Sequence, residues 1–341
     1  MELPLMKKSF NAMRIKTNVI IFILSIGIFS LLGCKYLKKP QQSDVVENSI
    51  TKAPFNGDSA YTYIAKQLEF GNRVPGSKGH LACKDFLSKK LDEFCDTVIV
   101  QSTSVNVFDG KSVPCFNIIG TFNKDVPRRI LLCTHWDTRP FADQDSVDKT
   151  TPILGANDGG SGVGVLLEAA RQLAIKRPEI GVDIIFFDVE DWGQPDDSKL
   201  PYKEDTYCLG TQYWAKNKHI EGYSAQYGIL LDMVGGKGAT FTYEGTSMRY
   251  APDLVRSVWQ TAHQIGYSSY FLMQETNPII DDHYYINQLA NIPTIDIIHH
   301  DFTTPSGFPR YWHTQKDDMS SIDKGTLIAV GETLLTVLYN L

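Results

Sequence analysis

The chain has 341 residues, 43% of them hydrophobic and 21% charged, and a net charge of −6. This is the composition of a globular protein with one large or two ordinary domains. The acidic surplus grows once the basic N-terminus (Lys7, Lys8, Arg14 and Lys16 against Glu2) is set aside, which argues against a nucleic-acid-binding surface.

The basic start is followed by an apolar run over residues 19–32, short for a membrane span and suited to the core of a signal peptide. It ends in Leu31-Leu32-Gly33-Cys34, which resembles a bacterial lipobox, in which the cysteine is lipidated and becomes the new N-terminus. An uncleaved anchor with an incidental cysteine is the alternative. The lipobox reading implies a signal peptide over 1–33, attachment to the membrane through lipid on Cys34, and a periplasm-facing position in the bacterial cell envelope. Residues 34–55 are polar and aperiodic and read as a tether. With no linker, repeat or low-complexity stretch beyond it, 56–341 reads as one domain, expected to be monomeric.

Within that domain, helices are expected over 59–70 and 80–94, strands over 97–107, 115–122 and 129–134, and a helix over 163–174 behind a glycine-rich turn. Strands over 182–189 and 227–233, a helix over 252–265, a strand over 294–298 and a closing helix over 324–339 complete the series. Apolar strands alternating with helices imply an α/β fold with a mostly parallel sheet covered on both faces. Ligands bind such sheets beyond the carboxyl ends of the strands. Apart from Cys34, five cysteines remain, an odd count. Cys115 and Cys133 read as core residues. Cys83 and Cys95 flank one helical stretch that would hold them about 18 Å apart, so no disulfide is expected between them.

The ends of the apolar runs carry an ordered set of potential metal ligands. His135-Trp-Asp137 follows the first buried strand, with Asp137 suited to orient the histidine. Asp158 sits in a glycine-rich turn before a helix. Glu190-Asp191 ends the run IIFFDV, with Asp188 adding to the acid there. Asp232 ends GILLDM, and Asp281-Asp282-His283 and Trp312-His313 follow. Taken singly, each has an ordinary structural explanation, such as a solvated histidine or an aspartate capping a helix. Adjacent acids at the end of a buried strand are costly without a cation or a proton, however. Together they describe a zinc site of His and carboxylate ligands with a spare carboxylate as base. His299 and His300 read as structural or cleft-lining, and Trp136, Trp214 and Trp259 as core or surface residues outside the site.

This motif order resembles the M28 zinc aminopeptidases and, within them, the animal-type glutaminyl cyclases, over residues 60–341. The resemblance implies a single α/β domain with a central mixed, mostly parallel twisted sheet and helices on both faces. On the aminopeptidase pattern, His135, Asp158 and Asp232 would hold one zinc and Asp158, Asp191 and His313 a second. On the cyclase pattern one zinc remains, on Asp158, Asp191 and His313. Glu190 would then be the proton shuttle, joined by Asp232 and Asp281 in an acidic network, with Trp312, Phe308, Ile279 and His135 placed around the substrate. Asp281 in place of the usual serine, Trp312 before the zinc histidine and Phe308 in the preceding loop favour the cyclase. The implied reaction converts an N-terminal Gln of peptides or proteins to pyroglutamate with release of ammonia. A two-zinc aminopeptidase is the alternative. Asp191 departs from the animal cyclases, which carry Glu there, and the segment from Trp192 departs further, leaving the place of Trp192 open.

Overall fold

The computed structural model describes residues 50–341, so the expected signal peptide, Cys34 and most of the tether lie outside the described residues. In chain order the elements are α1 (Gly57–Leu68), α2 (Lys78–Asp92), β1 (Thr97–Asn106), β2 (Ser112–Phe122), β3 (Arg129–His135), α3 (Gly160–Ile175) and β4 (Gly181–Phe187). There follow α4 (Leu209–Lys216), β5 (Tyr227–Asp232), β6 (Phe241–Tyr243), α5 (Gly245–Tyr250), α6 (Pro252–Gln264), β7 (Phe271–Glu275), α7 (Asp282–Tyr285), β8 (Thr294–Ile298) and α8 (Lys324–Tyr339). The expected long elements are all present, with no end displaced by more than three residues. Unforeseen were α4, α5, α7 and the small β6–β7 pair, each too short for a periodic signal.

Six strands form one mixed sheet in the order β1-β2-β4-β3-β5-β8. The β1–β2 hairpin joins it antiparallel, while β3, β4, β5 and β8 run parallel. Residues alternate between faces along each strand. Leu132, Ile184, Leu231 and Ile297 therefore pack under α1, α2, α3, α6 and α8. Leu131, Cys133, Ile185 and Leu230 meet Trp214 of α4 and Ile286 on the other face. Burying one such aliphatic side chain contributes about 1.5–3 kcal/mol, which is why four successive apolar runs become the central strands.

β3 leads through α3 to β4 on one side. The chain then crosses over β3 through α4 to reach β5 on the other side. That reversal opens a crevice at the carboxyl ends of the parallel strands, the usual ligand position in such sheets. The domain begins slightly earlier than residue 56. The Ala53 amide donates to Thr336 Oγ1 at 3.0 Å, so the last residues assigned to the tether already pack on α8. All five cysteines of the described residues are free, Cys83 and Cys95 included. No helix among the described residues is long and apolar enough to cross a membrane.

Candidate metal centre and active site

The parallel strands end in a ring of acids. His135 closes β3, Glu190 and Asp191 lie just past β4, and Asp232 closes β5, while Asp158 precedes α3. Several strand ends and loops turn through the left-handed region, at Val189 (φ 53°), Met233 (φ 49°) and His313 (φ 52°). That conformation is costly for a branched residue such as valine and clusters at functional sites. At Val189 it swings the following Glu190 and Asp191 away from the strand direction and over the crevice. Gly159 (φ 79°) allows α3 to start against β3, since a Cβ there would stand 2.7 Å from the Asp137 carbonyl and 2.9 Å from the His135 ring.

Two ligand triads result, His135/Asp158/Asp232 and Asp158/Asp191/His313, each with ligand atoms within 4.8 Å of one another. His313 Nε2 is 3.1 Å from Asp191 Oδ1 and 3.6 Å from Asp158 Oδ2. His135 Nε2 is 3.0 Å from Asp158 Oδ1 and 3.3 Å from Asp232 Oδ1. Ligands about 2.0–2.2 Å from a tetrahedral zinc stand about 3.3–3.6 Å apart, within a few tenths of an ångström of the 3.0–3.6 Å found here. Asp158 Oδ2 and Asp191 Oδ2 are buried without a hydrogen-bond partner, the condition a cation relieves.

Glu190 sits beside these ligands. Burial, reinforced by the charges of Asp281 and Asp191 and opposed by His135, holds its carboxyl well above the usual range. Burial likewise pushes Asp232 up to about 7. Burial disfavours a charged His313 ring, but the Asp191 and Asp143 carboxylates together outweigh this and raise its pKa. Glu190, Cys208 and Asp281 bring one polar atom each within 4.8 Å of the others. Glu190 and Asp281, two members of the acidic network that the cyclase resemblance implies, thus lie within reach of each other.

A cavity of about 220 Å³ opens over the ring. Its walls include Glu190, Asp191, Asp232 and Asp281 with Ile279, Phe308, Trp312 and His313. Trp312 stacks on His313 with ring centroids 3.7 Å apart, and Phe308 packs against Trp312 at 4.6 Å. Ile279 is fixed through its amide, which donates to the buried Glu244 at 2.6 Å. His135, expected near substrate, lies instead behind Asp158 and Asp232 and off the cavity wall. A larger hollow of about 480 Å³ is lined by His299, His300 and Tyr311 but by only one carboxylate, Asp301, so size alone does not identify the site.

Several assignments change. Asp137 lies 3.5 Å from His135 Nδ1, but its oxygens accept the amides of Glu190 (3.0 Å) and Asp191 (3.2 Å), so it holds the acid pair's backbone more than the ring. Asp188 does not join the acid ring. It points away, accepts from the Phe116 amide at 2.7 Å and pairs with the buried His80 at 2.9 Å. Trp192 packs with Val107, Val113, Cys115 and Val189, away from the cavity. Three contributors escaped sequence reading. Asp143 lies 3.2 Å from His313 Nδ1 and is gripped by Arg139 at 2.7 and 2.9 Å. Cys208 Sγ lies 3.2 Å from Glu190 Oε1, on a left-handed backbone (φ 56°). Tyr207 lines the cavity. The left-handed position of Cys208 has no signature in the sequence, although an acid four residues after a buried arginine (Arg139, Asp143) was a visible pairing.

A mixed α/β sheet with two His–carboxylate triads and a spare glutamate at its carboxyl edge defines a metal-dependent enzyme of the zinc exopeptidase kind. The model of peptidase family M28 matches residues 117–338, and the chain belongs to that family, whose metal is zinc. Among solved structures it is similar to Tannerella forsythia glutaminyl cyclase (50% identity, TM-score 0.82, covering 84% of this chain and 99% of that one). It is also similar to a Zn-dependent exopeptidase from Parabacteroides distasonis (49%, TM-score 0.84, covering 85% and 100%). The glutaminyl-peptide cyclotransferase of Gloydius blomhoffii is 26% identical over 287 residues, covering 75% of this chain and 73% of that one.

Proposed function

We propose that this protein is a glutaminyl-peptide cyclotransferase that converts the N-terminal Gln of peptides or proteins to pyroglutamate. The observation that carries this is the pairing of Glu190 and Asp281 in a small cavity of about 220 Å³ walled by Trp312 and Phe308, room for one side chain. The similarity to glutaminyl cyclases along nearly the full length of the solved chains supports it.

Asp158, Asp191 and His313 would hold a zinc ion, which when bound would supply Lewis-acid polarisation of the γ-amide carbonyl. Glu190 accepts a proton from the substrate α-amine as the new C–N bond forms. It returns that proton to the departing nitrogen as the amide C–N bond breaks, releasing ammonia. Asp281, within reach of Glu190, positions that nitrogen or shares the proton. The substrate brings its own nucleophile. The aromatic walls then do much of the work by holding the folded-back conformer.

The intact His135/Asp158/Asp232 triad favours a second reading, a two-zinc aminopeptidase. Incubating zinc-loaded protein with a Gln-initiated peptide and a matched Leu-initiated peptide, read by mass spectrometry, separates the two. Loss of one ammonia from the Gln peptide with the Leu peptide intact is expected. Release of a first residue from either would overturn the cyclase reading, and two zinc ions per chain would accompany it. Lipid on Cys34 and a periplasm-facing position in the cell envelope complete the proposal, resting on the Leu-Leu-Gly-Cys motif. Labelled fatty acid should enter the wild-type chain and not Cys34→Ala.

A further inference from the structure

The reaction cavity does not end at its mouth. Two of its wall residues, Tyr207 and Ile280, also form the wall of a second hollow of about 510 Å³. This lies between the segment from Gln194 to Thr206 and the residues around Tyr284 and Tyr285. The hollow of about 480 Å³ beside His299 shares no wall residue with the cavity and is not its continuation.

The second hollow has a distinct chemistry. Asp196, Glu204 and Asp205 line it against a single cation, Lys203. Lys203 Nζ is turned away, donating to the Phe108 carbonyl at 2.6 Å. Lys149 is engaged near Asp197, and none of the three lining carboxylates has a cation within ion-pair distance among the described residues. The wall itself is set. Gln194 donates to the Pro201 carbonyl at 3.1 Å and accepts from the Lys203 amide at 2.8 Å, while Tyr285 donates to Asp205 at 2.8 Å. Apolar surface borders it, with Tyr202 81% and Ile280 65% exposed.

On the reading proposed above, a substrate enters the reaction cavity N-terminus first, towards the ligand ring. Its second and later residues leave through the mouth. We propose that the hollow beyond Tyr207 and Ile280 is a subsite for residues two to four of the peptide, and that it selects cationic side chains there. The proposal rests on the reading that an N-terminal residue occupies the reaction cavity, and it adds the substrate class. Continuity of the two walls gives the path, and the unpaired carboxylates give the selectivity.

The test uses two peptides dye-labelled at their C-termini, one beginning Gln-Arg-Arg and one beginning Gln-Glu-Glu. Their Kd values are measured by fluorescence anisotropy, and kcat/KM is normalised to glutaminamide turnover by the same protein. Wild type is compared with the double variant Asp196→Asn/Glu204→Gln, two exposed positions. Exposed charge pairs of this kind change the cationic-to-acidic preference by about threefold to tenfold together. We expect that preference in wild type, its collapse in the double variant, and its weakening with salt. An equal ratio in both proteins, or a preference for the acidic peptide, overturns the subsite. Should wild type release first residues instead of ammonia, the cyclase reading fails, and the Kd ratios still decide the subsite.

Discussion

Asp143→Asn is the substitution through which the metal centre can be probed without touching a ligand. Asp143 Oδ1 lies 3.2 Å from His313 Nδ1, the nitrogen that faces away from Asp158 and Asp191. Arg139 holds both Asp143 oxygens and also donates to the Asp191 carbonyl at 2.9 Å, so one buried guanidinium ties the histidine's outer partner to a second ligand. The asparagine keeps the volume and removes the charge. Loss of a carboxylate behind a ligating histidine weakens metal binding about 10–100-fold, equivalent to about 1.4–2.7 kcal/mol. Fold stability should fall as well, because breaking a buried ion pair costs up to about 3–5 kcal/mol, reduced here by the Asp191 contact that Arg139 retains. The two effects separate when zinc affinity is measured by competition with a chelating indicator well below the melting transition, with Tm recorded on the same samples. A lowered Tm with unchanged zinc affinity would refute the orienting role and leave Asp143 only as the partner of Arg139.

Other substitutions test the acid network. Glu190→Gln should retain zinc and lower turnover about 10²–10⁴-fold; wild-type turnover would remove Glu190 as base. Cys208→Ala deletes a thiol that donates to Glu190 and should reduce kcat with little change in KM, by about two- to twelvefold for one hydrogen bond. Cys208→Ser should restore most of it, and an equal loss in both variants would mean the thiol matters only for packing. Asp317 accepts the Asn157 and Asp158 amides, and burial together with the Asp158 charge pushes its carboxyl up to about 7. A carboxyl raised above its unfolded value favours the fold while protonated. Chelator-treated protein should therefore lose stability as pH rises from about 4 to about 7 and level off above. Tm measured against pH should decline across that window, and less so in Asp317→Asn; a rise with pH would contradict the assignment.

The physical character of the site was largely present in the sequence. Apolar runs of strand length ending in acids, each punctuated by glycine or a turn, required a cation or protons wherever the chain took them. The ligand types could be written down on that basis, whereas the two alternative triads were what the resemblance to the M28 enzymes implied. Helices and strands with strong period were also legible, because periodicity is a local property. Residues such as those of α4 and α7 were not, since so few turns leave no pattern.

Convergence was decided by tertiary structure. Asp188 and Glu190 are two residues apart and would share a side on a straight strand. The left-handed turn at Val189 instead sends Asp188 to His80 and Glu190 to the crevice. Asp143, Cys208 and Tyr207 reach the site only because the order β4-β3-β5-β8 gathers the strand ends, and their loops fold back over that edge. Asp137 shows the same division. Its nearness to His135 is sequential, whereas its grip on the Glu190 and Asp191 amides exists because β3 and β4 lie side by side. The chain itself carries which groups are costly to bury. Strand order, turn handedness and loop return determine which of them share one ion, one proton and one substrate.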